Sequence, residues 1–258
     1  MVSPIGLLTA LPQEHHAVEA ILRSRVVDAG FTFGDIDGVA VCLGMTGIGK
    51  VNAAVSATQM CERTSPSVLV FTGVAGGLDP SLDIGDVVIG DTLIQHDAGV
   101  MTDGGIATYQ AGHIPFFNPT VEFGFRPSDR LRDAARRVLS NVPPDVVAGR
   151  IVFGTILTGD QFLESDRERR RLWERFSAQA IEMEGAAVAQ VASRYGLDHL
   201  AIRTLSDRAG QTSSVDFSEF LDRVAHQTVA VLRLLLPALA GAGSDRPAHE
   251  PEAETNAE

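Results

Sequence analysis

The chain has 258 residues, 45% of them apolar, enough for one large buried core. Its formal net charge is −12 and Lys50 is the sole lysine among 21 basic residues, so the Lys/Arg-rich footprint that nucleic acid requires is absent. Two cysteines, Cys42 and Cys61, form no spaced cluster and suit a reducing cytoplasm. The apolar stretch 229–240 is broken by Arg233 and Pro237 and falls short of the roughly 20 residues that cross a bilayer, so a membrane protein is not expected.

In chain order, residues 5–11 form an unbroken apolar run, the mark of a strand covered on both faces, and residues 13–22 then follow helical spacing. The strand starts so near the first residue that no export segment is expected before it. A short strand at 39–43 leads through a glycine turn, Gly44-Met-Thr-Gly-Ile-Gly49, into a helix over 51–62. A third strand, 68–72, runs into Gly73-Val-Ala-Gly-Gly77. Two strands thus end in glycine-rich turns, the place where α/β sheets hold ligands. Residues 86–91 read as a strand, and 98–126, rich in Gly, Pro and aromatics without a period, as a long functional loop. A helix at 128–139, a strand at 150–157 and a charged helix at 166–176 follow. Strands at 180–184 and 200–204 flank a helix at 185–195, and a long helix at 217–239 closes the pattern. Alternating strands and helices predict a three-layer α/β/α sandwich with a central mixed, twisted sheet, one domain over residues 1–240. Residues 241–258 offer almost no side chain able to fill a core and are expected to form a disordered acidic tail.

Several motifs can be weighed on their chemistry. Gly44-Met-Thr-Gly-Ile-Gly-Lys50 fits the phosphate-binding loop G-x-x-x-x-G-K until Val51 replaces the Ser or Thr whose hydroxyl holds magnesium. A tight strand-to-helix turn is the better reading of Lys50, with Ile48 and nearby backbone lining a pocket. Glu182 and Glu184, two apart around Met183, would point to the same side of a strand, where paired carboxylates are rarely accidental. Asp207 follows an apolar strand through Ser206, with Arg203 inside that strand; alone, such an Asp is more often a turn or cap. Glu14 could equally be a first-turn Glu favoured by the helix dipole. The seven histidines show no metal spacing, so neither metal nor other cofactor is implied. His96-Asp97 reads as a structural or interface pair, and Ser206 lacks a nucleophile-elbow pattern.

Taken together, the segments resemble the nucleoside phosphorylase superfamily, and within it the bacterial 5′-methylthioadenosine/S-adenosylhomocysteine nucleosidases. The resemblance rests on the run from Ile5 to Glu14, on Gly47-Ile-Gly-Lys-Val-Asn-Ala53 and on Thr72-Gly-Val-Ala-Gly-Gly-Leu-Asp-Pro80. It continues through His96-Asp97, Thr158-Gly-Asp-Gln-Phe162, Ile181-Glu-Met-Glu-Gly185, Arg203-Thr-Leu-Ser-Asp207 and Asp216-Phe-Ser-Glu-Phe220. It implies that Asp207 protonates adenine N7, that Glu184 holds the ribose hydroxyls above Met183, and that Glu14 and Arg203 position the attacking water. It further implies substrate contacts from Ala75, Gly76, Glu182, Ser206, Phe162 and Leu163. Ile48, Phe217 and a partner-subunit segment carrying His113, Pro115 and Phe116 would enclose the 5′-alkylthio group, which makes a homodimer the expected assembly and adenine nucleosides the expected small-molecule partners. The implied setting is cytoplasmic, in methionine salvage.

The turn at 72–77 has no Arg to cradle phosphate, and Arg203 is expected to be committed to Glu14, which favours water over phosphate as nucleophile. Val74 departs from the Ser of many bacterial relatives, and the loop 101–119 departs from their commonest form. Two further functions fit the resemblance: hydrolysis of aminofutalosine in menaquinone synthesis, and a non-catalytic nucleoside sensor, against which the intact set Glu14, Glu184, Arg203 and Asp207 argues.

Overall fold

The computed structural model describes residues 3–143, 146–210 and 212–243. Eleven strands and six helices follow one another as β1 (Ile5–Thr9), α1 (Pro12–Glu19), β2 (Arg23–Asp28), β3 (Phe31–Ile36), β4 (Val39–Met45), α2 (Lys50–Thr64), β5 (Val68–Gly77), β6 (Val87–Gln95), β7 (Gly99–Thr102), β8 (Gly105–Thr108), α3 (Asp129–Leu139), β9 (Ile151–Thr158), α4 (Asp166–Phe176), β10 (Ala180–Glu182), α5 (Gly185–Arg194), β11 (Asp198–Asp207) and α6 (Ser213–Gly243) among the described residues. Nine strands form one mixed sheet in the order β10-β9-β6-β11-β5-β1-β4-β3-β2. Because β10 also pairs antiparallel with β5, the strands β5, β11, β6, β9 and β10 close into a ring.

The apolar runs exist because both faces of the sheet are covered. Along β5 successive side chains alternate: Val68 and Val70 join the core under α1, α3 and α6, whereas Leu69 and Phe71 join the core formed with α2 and α5. β1 divides likewise, Ile5 and Leu7 to one side and Leu8 to the other. The expected three-layer α/β/α arrangement with a mixed sheet is therefore the one observed. Ser128 and Ser165 cap α3 and α4, each hydroxyl accepting a backbone N–H three residues on, from Leu131 and Glu168.

Three regions differ from expectation. Residues 23–36 carry a hairpin, β2–β3, that apolar alternation does not disclose, because all six residues of β2 are exposed at the sheet edge. Its signal lay in the turns: Ala29-Gly30 and Asp37-Gly38 both have positive φ (52° and 85°, 52° and 84°), as hairpin turns require. The long loop contains a second hairpin, β7–β8, paired only with itself. The closing helix starts at Ser213 and runs to Gly243 through Pro237, and the expected tail lies outside the described residues from 244 onward.

α6 supplies Val231, Leu232, Leu235, Leu236 and Leu239 to the larger core cluster. Truncating Leu235, which is fully buried, to alanine should cost about 2–5 kcal/mol in urea-induced unfolding; a loss below about 1 kcal/mol would show that α6 does not carry this core.

Candidate active site

The carboxyl ends of the parallel strands converge on one cavity. The end of β1 brings Ala10, Leu11 and, one turn into α1, Glu14; the turn after β4 brings Ile48; β5 brings Val74, Ala75 and Gly76; β11 brings Ser206 and Asp207. The loop after β9 adds Gln161, Phe162 and Leu163, and the step from β10 into α5 adds Glu182, Met183 and Glu184. Phe217 closes the cavity from α6, its ring edge-on to Phe162 at 5.9 Å between centroids.

Glu14 is buried and fixed by the backbone. One carboxylate oxygen accepts the N–H groups of Ala10 and Leu11, both at 2.9 Å, and the other accepts that of Val74 at 2.8 Å. Gly73 is what allows this approach: a Cβ there would run into the Glu14 carboxylate and lie 2.6 Å from the Arg203 guanidinium. Burial raises the Glu14 pKa, against the opposing effects of Arg203 and the three N–H donors.

Arg203 and Glu182 form a fully buried ion pair beneath the cavity, and the guanidinium lies over the Phe71 ring at 4.0 Å. Glu182 is held from both oxygens: the one facing Arg203 also accepts the N–H groups of Glu184 and Gly185, and the other accepts the Thr158 hydroxyl. Glu184 lies 3.9 Å from the same guanidinium and accepts the Gly49 N–H at 2.8 Å. Burial, then the charge of Glu182, raise the Glu184 carboxyl to about 8, even though Arg203 and the Gly49 N–H act in the opposite direction.

Two expectations are corrected here. β10 ends at Glu182, and Glu184 is the N-cap of α5 at φ −138° and ψ −38°, so the two acids do not share a strand face. They meet at one cation because the chain turns between them. Arg203 pairs with Glu182 rather than Glu14, whose oxygens are taken by backbone donors, and it stands behind the cavity wall without lining it.

Asp207 is the last residue of β11, beyond a register shift against β5 that follows Leu205. Its carboxyl accepts the Ala209 N–H at 2.7 Å and the Ser206 hydroxyl at 2.9 Å. Burial raises its pKa, and these two hydrogen bonds oppose the rise. The cavity thus collects four carboxyl groups, of which Glu14, Glu184 and Asp207 are biased toward keeping a proton, around a largely apolar wall.

All other expected substrate contacts, Ala75, Gly76, Phe162, Leu163, Glu182, Met183, Ser206, Ile48 and Phe217, line this cavity. His113, Pro115 and Phe116 do not; they sit on the segment after β8, where Phe116 is 82% exposed. Ala10, Leu11, Gln161, Ile181 and Ala209 line the wall without having been singled out. Gln161 stands inside a quoted motif, but a lone Gln carries no spacing signal. Lys50 turns out to be more than a turn residue: its ammonium pairs with Asp97 at 2.7 Å.

Residues 4–237 match the family model described as Phosphorylase superfamily. A protein named 5′-methylthioadenosine/S-adenosylhomocysteine nucleosidase, from Mycobacterium tuberculosis, is 42% identical over 252 residues, covering 93% of this chain and 99% of its own. Among solved structures, the nucleosidase of that description from Colwellia psychrerythraea, in complex with adenine, superposes with a TM-score of 0.79 at 32% identity, covering 93% of this chain and 96% of its own. A structure described as futalosine hydrolase from Helicobacter pylori gives a TM-score of 0.77 at 26% identity, with 92% and 98% covered.

A carboxyl that is harder to ionise in the folded state than in the unfolded one stabilises the fold fully below its unfolded pKa, and that contribution is lost as pH rises through the folded value. For Glu184 the window runs from the ordinary value of 4.5 to about 8. Stability of the ligand-free protein should therefore fall across this interval, and Glu184→Gln should flatten the slope in urea titrations at stepped pH; an unchanged slope would contradict the assignment.

Proposed function

The chain belongs to the phosphorylase superfamily, and within it we propose an N-ribosyl hydrolase that releases adenine from 5′-methylthioadenosine and S-adenosylhomocysteine. The observation that carries this reading is the placement of the buried Asp207 across one cavity from Glu184 and Glu14, on a chain 42% identical to a nucleosidase of that name.

Adenine leaves poorly as an anion, so the C1′–N9 bond breaks readily only when the base gains a proton. Asp207, whose carboxyl burial makes harder to ionise, gives a proton to N7, and the bonding pair passes to the purine. The ribosyl fragment becomes cationic. Glu184, bound to the ribose hydroxyls, gives its proton to solvent as that charge develops and recovers one when the cation is quenched; because a neighbouring cation favours its carboxylate, it stabilises the transition state more than the ground state. Water adds at C1′ and loses its proton to Glu14, a stronger base than an ordinary carboxylate for the same reason of burial. Glu14 then releases that proton to solvent, and solvent returns one to Asp207.

Arg203 touches none of the reacting atoms. Its part is to hold Glu182 and to bias Glu184. The same pairing bears on the nucleophile: no Lys or Arg lines the cavity among the described residues, so a phosphate anion would find no cationic cradle there, and water is the nucleophile. Val74 supports the water through its N–H bond to Glu14, which needs no side-chain hydroxyl.

Phe162 stacks on the base, and Ile48 and Phe217 flank the 5′ substituent. Ile48 and Phe162 are each about half exposed at the mouth, and Ile114, Phe116 and Phe117 stand exposed elsewhere on the chain. Pairing two copies so that His113, Pro115 and Phe116 of one close the 5′ end of the other would cover these apolar surfaces, so the functional form is a homodimer. No helix of the described residues is long and apolar enough to cross a membrane. The two cysteines, free and buried, suit the reducing cytoplasm proposed as the setting.

Purified protein should release adenine from methylthioadenosine in phosphate-free buffer, and Asp207→Asn should lower kcat by about 10²–10⁴-fold while the protein stays folded. No adenine by chromatography, or activity undiminished in the variant, would refute the assignment. Rates on S-adenosylhomocysteine and on futalosine-type nucleosides, measured alongside, decide whether the futalosine hydrolase likeness extends to substrate. Light scattering should give twice the chain mass of 27.4 kDa; a monomer that is fully active would exclude the shared 5′ pocket.

A further inference from the structure

Lys50 lies outside the cavity wall, yet it is the hub of a cluster that joins three separate elements. Its ammonium is 2.7 Å from an Asp97 oxygen and 3.8 Å from an Asp160 oxygen. The other Asp160 oxygen accepts the Lys50 backbone N–H at 2.8 Å, and the other Asp97 oxygen accepts the Asp160 N–H at 3.1 Å. The first turn of α2, the loop after β6 and the loop after β9 are thereby tied at one point, with the Lys50 and Asp97 side chains each at most one-fifth exposed. Burial would raise the Asp97 carboxyl, but the Lys50 bond and the Asp160 N–H outweigh it and hold the group ionised.

What this cluster holds is the position of one cavity wall against another. Asp160 is followed directly by Gln161, Phe162 and Leu163, which line the cavity on the base side. Lys50 is preceded directly by Gly49, whose N–H holds Glu184 on the sugar side. Two successive backbone N–H groups therefore carry one acid from each half of the site. Gly49 itself has φ +96°, and a Cβ there would stand 3.2 Å from the Asp160 carboxylate, so the turn is shaped for this contact. Without the ammonium, the carboxylates of Asp97 and Asp160 would face each other with no cation between them, and Asp160 would swing outward, carrying Phe162 with it.

We infer that Lys50, acting through Asp97 and Asp160, is a positioning residue that fixes the base-binding loop of residues 160–163 relative to Glu184. The inference rests on the nucleosidase reading, and its consequence is specific: removing the charge weakens binding of the base more than it slows the chemistry.

The test is adenine binding by calorimetry together with steady-state kinetics on methylthioadenosine, for the wild-type chain, Lys50→Met and Lys50→Arg. Lys50→Met should raise both the adenine Kd and KM about tenfold, the scale of one charge-assisted hydrogen bond, with kcat changed less than about threefold; Lys50→Arg should recover most of the loss. A residue that merely supports the fold would lower Tm and leave the Kd of the folded protein unmoved, so a Kd within twofold of wild type overturns the inference. Should Lys50→Met fail to fold, Asp97→Asn breaks the same cluster while keeping an acceptor, and an unchanged adenine Kd in that variant overturns it equally. Wild-type protein that binds no adenine would sink the nucleosidase reading, and the inference with it, whereas wild-type binding with unaffected variants sinks the inference alone.

Discussion

The site depends on how the guanidinium of Arg203 is shared. It is 1% exposed and pairs with Glu182, with Glu184 just beyond at 3.9 Å. Burying a cation this deeply is costly unless its partners are close and fully hydrogen-bonded. Glu182 meets that condition by accepting from Thr158, Glu184 and Gly185 as well. One positive charge is too little to offset burial at every acid near it, so Glu14 and Glu184 hold protons more tightly. Burial under that shortage is the functional property: it raises the carboxyls of Asp207, the acid, of Glu14, the base, and of Glu184, the group that ionises when a cation appears beside it.

The fold creates that shortage. β5 and β11 run parallel at the centre of the sheet, placing Arg203 beside Gly73 in register, and the lack of a side chain at Gly73 lets Glu14 reach across from α1. Closure of the sheet through β10, paired with both β9 and β5, brings Glu182 and the start of α5 to the same point. Helices α2 and α5 on one face and α6 on the other keep water from the strands, so desolvation acts on the acids at full strength.

Much of this was legible in the residues. Continuous apolar runs marked β1, β5 and β11 because both faces of the sheet are covered, and helical pattern marked α3 and α4, whose caps Ser128 and Ser165 the structure supplied. The edge hairpin β2–β3 escaped because an exposed strand has no apolar alternation to display. At the site, the identities of the acids were readable but their partners were not. Spacing put Glu182 and Glu184 on one strand face, whereas the chain leaves the strand between them; Arg203 was assigned to Glu14 although backbone N–H groups already satisfy that carboxylate. Hydrogen bonds between distant segments leave no periodic trace, and the Lys50 cluster, formed across 110 residues from Lys50 to Asp160, is of that kind.

Membership of a superfamily named for phosphorolysis makes the nucleophile the central question, and charge decides it: Arg203, behind the cavity wall, is paired with Glu182, which leaves water to attack. The most direct measurement is mass spectrometry of the sugar product formed from methylthioadenosine in ¹⁸O-enriched water with inorganic phosphate also present. The account predicts one heavy oxygen at C1′ of the free sugar at every phosphate concentration. A sugar 1-phosphate without solvent-derived oxygen at C1′, increasing with phosphate, would contradict it.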